Sequence, residues 1–321
     1  MLSVRQTAAW LKHRDRFLIL THVRPDGDTV GCAAALCAAL RRLGKTAYLL
    51  RNPGLTDTTR PYFAPYEAPE SGWEPDYVVS VDIATENLFP DNAKPFKGKV
   101  DLAIDHHPSF EAFAKENIVR PEAAACGELL YDILSALGPI TPDMALPLYV
   151  AVSTDCGCFA YANTTPHTHA VAAALMGTGI DYQTVNRVFF RTKTKVRMAL
   201  EAAMLRDAAY YDGDRIVVLS VPRDLMASLH ATETDAEDLS ALGPQIQGVD
   251  CAVTLRELKE NQWKISLRTG PRVNATRACA LLGGGGHAAA AGCTVSGSFR
   301  EAREQILDAI ARTVPDCRLG G

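Results

Sequence analysis

The stretch that decides the fold is FLILTHVRPDGD, residues 17–28. Its first five residues form a short apolar run, which is the pattern of a buried strand. A polar loop follows from His22 to Asp28, and the small and apolar residues from Thr29 to Leu43 then predict a helix that Gly44 ends. A buried strand, a polar loop and a helix form the repeating unit of α/β proteins, so this stretch predicts that class.

The same alternation continues through the first half of the chain. Further strands are predicted at Ala47–Leu50, Tyr77–Val81 and Val100–Ile104. Helical patterns follow at Ala123–Leu137, Asp143–Ser153 and Pro166–Met176. Strands that alternate with helices favour a parallel sheet covered by helices.

A different pattern begins after the turn signal Asp212-Gly213-Asp214. It predicts strands at 215–221, 250–257 and 262–268, the last two as a hairpin, then a helix at 274–282, a glycine loop at 283–286 and a final amphipathic helix at 299–313. Residues 181–210 are helical in pattern and rich in Arg and Lys, which predicts a linker helix between the two patterns.

The chain has 321 residues, more than one ordinary hydrophobic core accommodates. We therefore predict two domains. Residues 1–195 would hold the parallel sheet and most of the linker helix, and residues 196–321 would form a smaller α/β domain.

Charge and cysteine usage limit the possible partners. A net charge of -4 argues against a protein that coats long nucleic acid, because such proteins carry a basic excess. The N-terminal residues lack the apolar centre of a secretory signal, and the longest apolar stretch, Val30–Leu40, is too short to cross a bilayer. The nine cysteines contain no Cys-x-x-Cys pair, so we expect reduced thiols in a cytosolic protein that does not bind membranes.

Four segments that carry Asp or His follow predicted elements of the first domain. They are His22 to Asp28 after FLILT, Asp82 after YVVSV, Asp105-His106-His107 after VDLAI, and Asp155 at the end of a helical run. In open α/β sheets, ligands bind beyond the carboxyl ends of the strands. We therefore expect the first three segments to meet at one edge of the sheet.

Each segment alone is also typical of a turn, a helix cap or a surface pair. Together they indicate divalent metal, because carboxylates and neutral imidazoles bind such ions and several buried carboxylates without a cation would repel one another. Two ions about 3.5–4 Å apart can activate a water and hold phosphoryl oxygens. The pattern therefore predicts a hydrolase of phosphate esters. Gly27, between Asp26 and Asp28, is expected to adopt a backbone conformation barred to other residues and so to aim both carboxylates inward.

A second candidate site lies in the glycine run Gly283-Gly284-Gly285-Gly286-His287. Backbone N–H groups of a glycine loop can approach an anion closely, and His287 can donate to a phosphate. Ser266-Leu267-Arg268, at the end of the preceding strand, supplies a guanidinium suited to phosphate or to base stacking. A flexible turn is the alternative interpretation. The run matches neither the dinucleotide-binding fingerprint nor the P-loop.

The joint pattern resembles the four motifs of the DHH phosphoesterase superfamily, and the glycine run resembles its associated C-terminal substrate-binding domain. Within that superfamily the compact chain is most similar to the bacterial branch of bifunctional oligoribonucleases. The resemblance implies hydrolysis of very short oligonucleotides, of 3′-phosphoadenosine 5′-phosphate, or of both. It also implies two divalent metal ions, Mn²⁺ by preference with Mg²⁺ or Co²⁺ as alternatives, and a possible homodimer.

Carried over to this sequence, the resemblance assigns a role to each candidate residue. His22, Asp26 and Asp82 would hold one metal ion, and Asp28, Asp82, His106 and Asp155 the other, with Asp82 bridging. His107 would face the substrate phosphate as a donor or general acid, and Asp105 would orient a histidine. The substrate-binding residues would be Ser266, Arg268, Gly284, Gly285, Gly286 and His287.

The sequence departs from the family pattern after the fourth motif. Cys156-Gly157-Cys158-Phe159 stands where Thr-Gly-Ser-Phe is common, and Ala160 stands where a basic residue is frequent. These departures bear on substrate preference and leave the predicted ligands intact. The alternatives are a cyclic-dinucleotide or pGpG-type phosphodiesterase, an inorganic pyrophosphatase, and a nucleotide- or RNA-binding homologue without catalysis.

Overall fold

The computed structural model describes residues 1–314 and 317, which divide into two compact units. The first unit is Met1–Thr192, and the second begins at Lys193. Each unit has its own sheet and its own hydrophobic core. Among the described residues, no helix has the length and apolar character needed to cross a bilayer.

The first unit is a parallel sheet with helices packed against it, as the alternating pattern predicted. Its described strands are β1 (Phe17–Leu20), β2 (Ala47–Leu49), β3 (Tyr77–Val81), β4 (Leu102–Asp105) and β5 (Glu116–Val119). They lie in the order β2-β1-β3-β4-β5, and every pairing is parallel. Residues of β1 are completely buried, consistent with a central strand covered on both faces.

Helices cover this sheet. The described ones are α1 (Val4–Lys12), α2 (Gly27–Arg42), α3 (Arg60–Phe63), α4 (Cys126–Leu137), α5 (Pro142–Asp155), α6 (Pro166–Met176) and α7 (Tyr182–Asn186). Helix α2 is buried along nearly its whole length, and its alanines allow α4 and α5 to pack closely on it. This packing brings the carboxyl end of α5 towards the amino end of α2.

The helical pattern over residues 181–210 is interrupted and does not form one continuous linker helix. A π-helical turn, Arg187–Arg191, follows α7, and Thr192 is extended with φ -113° and ψ 129°. Thr194 then caps a new helix, α8 (Lys195–Arg206), through its hydroxyl oxygen. Threonine favours caps over helix interiors, which explains the break.

The second unit is built on a mixed sheet. Its described strands are β6 (Ala209–Tyr211), β7 (Ile216–Val221), β8 (Cys251–Lys259), β9 (Gln262–Thr269), β10 (Gly285–His287) and β11 (Ala290–Ser296). Their order is β10-β11-β9-β8-β7-β6, with only β7 and β8 parallel among the described pairs. Besides α8, its described helices are α9 (Arg223–Ser228), α10 (Ala275–Ala280) and α11 (Phe299–Thr313).

The predicted hairpin of β8 and β9 and the predicted final helix α11 are confirmed. The prediction of a glycine loop at 283–286 is partly wrong. Residues Gly285–His287 form an edge strand that pairs with β11. Periodicity could not reveal this strand, because glycine has no side chain with which to show an alternating pattern.

Candidate metal centre

The strand order places the acidic and histidine segments of the first unit together. β1, β3 and β4 are neighbours in one parallel sheet, so their carboxyl ends meet at one edge. His22 follows β1, Asp82 follows β3, and Asp105 is the last residue of β4. Asp155 arrives from another direction as the last residue of α5.

One group of possible ligands joins the loop after β1 to the end of β3. The His22 Nε2 atom lies 3.5 Å from Asp26 Oδ1 and 3.8 Å from Asp82 Oδ2. The ligand atoms of these three residues all lie within 4.8 Å of one another, close enough to share one ion.

A second group forms around His106. Its Nε2 atom lies 3.7 Å from Asp28 Oδ2 and 3.3 Å from Asp155 Oδ2, and these three residues also meet within 4.8 Å. Asp82 links the two groups, because its Oδ1 lies 3.5 Å from His106 Nε2. The six residues that the sequence put forward as metal ligands are therefore brought together in two neighbouring groups, and Asp82 of the first group lies beside His106 of the second.

The tautomer of His106 can be assigned from its hydrogen bond. Its Nδ1 lies 3.1 Å from the carbonyl oxygen of Ala123, which can only accept, so Nδ1 carries the proton. In the neutral ring, Nε2 then presents a lone pair towards the three carboxylates. A backbone carbonyl on the remote nitrogen is a common arrangement for a metal-binding histidine.

Asp28 is anchored by the amino terminus of α4. Its Oδ2 accepts from Cys126 N at 2.6 Å, and its Oδ1 accepts from Gly127 N at 3.0 Å and from the Cys32 thiol at 3.2 Å. The N-cap position of α4 is Ala125, which has no side chain able to accept these bonds. Asp28 thus takes the place of the missing cap, and the helix dipole favours its negative charge.

Sequence reasoning missed the part that Cys126 and Gly127 play. The helix predicted at Ala123–Leu137 begins three residues before α4, so Cys126 and Gly127 were not recognised as its first residues, whose N–H groups need an acceptor from elsewhere.

His107 and Asp105 form a separate pair beside these groups. The Asp105 Oδ1 accepts from His107 Nδ1 at 2.8 Å and from the backbone N–H groups of His106 and His107. Asp105 is fully buried, whereas 40% of the His107 side chain is exposed. The hydrogen bond to Asp105 raises the pKa of His107, so its protonated form is favoured. His107 Nδ1 also lies 3.6 Å from Asp82 Oδ1, and these two residues with His106 form a third possible ligand group.

Three of the four proposed ligand carboxylates, all except Asp26, have the raised pKa expected of buried carboxylates that a cation would stabilise. Burial raises the pKa of Asp28 well above its usual value, and the charge of Asp155 raises it further. Burial also raises the pKa of Asp82 well above its usual value, and the negative charge of Asp28 raises it further. Burial raises the pKa of Asp155 to about 6, although His106 opposes this. Divalent cations would remove both the repulsion and the cost of burial.

The surroundings of Asp82 show whether these residues are suited to bind a cation. Its Oδ1 is buried and has no hydrogen-bond partner among the described residues. Its φ of 57° is left-handed, a conformation that residues other than glycine rarely adopt, although aspartate tolerates it better than most. A buried carboxylate oxygen without a donor, facing two histidines, fits metal coordination.

The role expected for Gly27 is wrong. Gly27 is the first residue of helix α2 and is not among the glycines with positive φ. What requires glycine there is space, since a Cβ would lie 2.3 Å from Thr154 Oγ1. Sequence could not show this contact, because Thr154 belongs to a distant helix.

In the second unit, the register of the sheet puts the predicted substrate-binding residues on one face. Arg268 pairs with Ala290, which pairs with His287, and Ser266 lies two residues before Arg268. Side chains at paired positions of neighbouring strands, and at positions two residues apart along one strand, lie on the same face of a sheet. The side chains of Ser266, Arg268 and His287 therefore share one face. The buried residues Trp263, Ile265 and Leu267 alternate with them and point to the core.

The glycines shape the edge beside this face. A Cβ on Gly284 would lie 2.2 Å from the Gly292 oxygen, and Gly286 has φ 142°. A cavity of about 310 Å³ opens next to it, lined mainly by Thr269, Gly270, Pro271, Val273, Asn274, Ala288 and Ala289. Thr269 and Ala288 follow Arg268 and His287 directly in the chain.

Comparison with known proteins connects both units to one family. Residues 16–152 match the DHH family, N-terminal domain, and residues 225–315 match the DHHA1 domain. The chain is 33% identical over 297 residues to the bifunctional oligoribonuclease and PAP phosphatase NrnA of Thermus thermophilus, covering 91% of this chain and 88% of that protein. It is 23% identical to the protein of the same name from Bacillus subtilis, over 92% of this chain and 93% of that one.

Solved structures agree on the fold. An exopolyphosphatase-related protein from Bacteroides fragilis superposes with a TM-score of 0.85 at 23% identity, over 97% of this chain and 96% of that one. RecJ of Thermus thermophilus in complex with Mn²⁺ gives a TM-score of 0.51 at 16% identity, over 96% of this chain and 55% of RecJ.

Proposed function

The chain belongs to the DHH family of phosphoesterases, and from that premise we propose that it is a two-metal hydrolase of very short oligonucleotides and of 3′-phosphoadenosine 5′-phosphate. The relatives from Thermus thermophilus and Bacillus subtilis carry both activities in their names. The net charge of -4 fits a small substrate better than a long nucleic acid.

The observation that carries the proposal is the donor set around Asp82. His22 and Asp26 lie on one side of this carboxylate, and His106 on the other. We assign His22, Asp26 and Asp82 to one ion and Asp28, Asp82, His106 and Asp155 to the second. Mn²⁺ is the expected ion, because this mixture of carboxylates and imidazoles suits it, and the RecJ structure contains Mn²⁺.

Two bound divalent ions would lower the pKa of a water and offset charge on the phosphoryl oxygens. His107 is positioned to assist. Its Nδ1 proton is held by Asp105, which leaves the Nε2 proton of the imidazolium for the substrate. In the metal-free chain the hydrogen bond to Asp105 raises the pKa of His107, which favours that protonated form.

The second unit supplies the nucleotide-binding residues in this proposal. Arg268 offers a guanidinium for phosphate, and His287 a second donor on the same face of the sheet. Ser266 and the small residues Gly284, Gly285 and Gly286 would let the nucleotide approach the backbone. The cavity beside them has the size of a small-ligand site.

A digestion panel with Mn²⁺ tests the proposal. The substrates are a linear dinucleotide, a five-mer, 3′-phosphoadenosine 5′-phosphate, a cyclic dinucleotide and pyrophosphate, and Asp82→Ala is the inactive control. We expect turnover of the linear dinucleotide and of 3′-phosphoadenosine 5′-phosphate. Preference for the cyclic dinucleotide or for pyrophosphate would replace this assignment by one of the alternatives, and no turnover of any substrate would leave a binding protein.

A further inference from the structure

Gly27 and Thr154 make an unusually close contact between α2 and α5. A Cβ added to Gly27 would lie 2.3 Å from Thr154 Oγ1, 2.5 Å from its Cγ2 and 2.8 Å from its Cβ. The Thr154 side chain therefore fills the space that any larger residue at position 27 would need. Its hydroxyl donates to the carbonyl oxygen of Val150 at 2.8 Å, which fixes its orientation on α5.

The contact lies between the proposed ligands of both ions. Gly27 separates Asp26 from Asp28, and Thr154 directly precedes Asp155. Asp28 and Asp155 both approach His106 Nε2, at 3.7 and 3.3 Å. A change in how deeply Thr154 enters the space at Gly27 would therefore be expected to change the separation of Asp28 from Asp155.

The neighbouring turns support the same close packing. A Cβ on Gly31 would lie 2.2 Å from the Pro147 carbonyl oxygen, and one on Gly127 would lie 2.7 Å from Ala151 Cβ. The absence of side chains at glycines on α2 and on α4 thus allows α5 to pack closely against both helices. Of these contacts, the one at Gly27 is nearest in sequence to the ligands.

We propose that Gly27 and Thr154 are positioning residues, whose contact sets the spacing of the ligand carboxylates for a pair of ions. This inference rests on the two-metal function proposed above. Neither residue is among the proposed metal ligands or substrate-binding residues. Their effect is exerted through Asp26, Asp28 and Asp155, because a shift of α5 along or away from α2 moves Asp155 with respect to the other two.

Titration of the metal-free protein with Mn²⁺ by calorimetry tests the proposal. Gly27→Ala is expected to weaken Mn²⁺ binding by about tenfold or more, as changes that disturb ligand orientation do. Adding Thr154→Gly to that variant reopens the space and returns the affinity to that of Thr154→Gly alone. Gly138→Ala is the matched control, because Gly138 has extended backbone at the end of α4 and a Cβ there meets no described atom within 4 Å.

The outcomes separate the positioning role from the two-metal function on which it rests. If the unaltered chain binds no Mn²⁺, the two-metal function fails. If it binds two ions and Gly27→Ala binds them equally well, or if the double variant binds Mn²⁺ more weakly than Thr154→Gly alone, the positioning role is overturned. Should Gly27→Ala not fold, Thr154→Gly is compared with Thr154→Val, which keeps the bulk. Weaker Mn²⁺ binding by the glycine variant alone supports the proposal, and equal binding by the two rejects it.

Discussion

At the scale of single residues, Asp82 combines a proposed functional role with a cost in stability. It is buried, its Oδ1 has no donor among residues 1–314 and 317, and its backbone is left-handed. In the metal-free protein such a charge is destabilising, because burial removes it from bulk water. If Asp82 bridges two ions, metal binding offsets this cost.

A neutral substitution should expose that cost. We expect Asp82→Asn to abolish hydrolysis and, at pH 7, to raise the Tm of the metal-free protein by a few degrees, since about 1 kcal/mol shifts Tm by about 2–4 °C in domains of this size. Differential scanning calorimetry with chelator measures the effect. A lower Tm for the variant would contradict the destabilising role of the charge.

The same carboxylates determine the pH dependence of the metal-free protein. An acid whose pKa is raised by folding binds its proton more tightly in the folded chain, so its contribution to the free energy of unfolding falls as pH rises through the raised value. For Asp155 this window runs from 3.8 to about 6. We expect Asp155→Asn to gain stability over the parent chain across that window, measured by urea unfolding at several pH values. A difference that does not change with pH would contradict it.

His107 should affect turnover without affecting the ions. His107→Ala is expected to lower kcat by about 100-fold or more, the usual contribution of general acid–base groups, and to leave the Mn²⁺ content unchanged. Metal analysis of the purified variant beside a single-turnover assay separates the two effects. Loss of one ion would instead assign His107 to the ligand group that it forms with Asp82 and His106.

At the scale of elements, the glycines in and before the edge strand β10 differ in how much room each leaves for a side chain. A Cβ on Gly284 would meet the Gly292 oxygen and Cys293, whereas one on Gly285 would meet no described atom within 4 Å. Gly284→Ala should therefore lower the free energy of unfolding by about 1–3 kcal/mol, as overpacking does, and raise KM. Gly285→Ala should leave the unfolding curve in urea unchanged, and equal losses in the two variants would contradict this explanation.

At this scale, the sequence could predict the strands that consist of an apolar run but not the strand with a mixed sequence. β1, β3 and β4 are short apolar runs, so their carboxyl ends, and with them His22, Asp82 and Asp105, could be placed from the sequence. β5, Glu116–Val119, has the mixed sequence ENIV and was not predicted.

Contacts between distant elements lay beyond the sequence. Asp28 caps α4 across 98 residues, and Thr154 fills the space at Gly27. Neither contact leaves a local pattern, because each joins residues whose own neighbours are ordinary for a helix. The ligand types were therefore predictable, whereas the means of holding them at a fixed separation was not.

For the whole molecule, the two units have different proposed tasks. The first concentrates buried carboxylates and imidazoles at one sheet edge, and the second presents Arg268 and His287 on one face of its sheet. Each unit has a separate hydrophobic core, so loss of the ions should impair catalysis much more than folding.

Anomalous diffraction from crystals grown with Mn²⁺ would locate the ions that the proposed hydrolysis requires. We predict two peaks about 3.5–4 Å apart, the separation typical of two-metal sites. One peak would lie among His22, Asp26 and Asp82, and the other among Asp28, His106 and Asp155, with Asp82 touching both. A single peak, or peaks away from Asp82, would contradict the two-metal assignment.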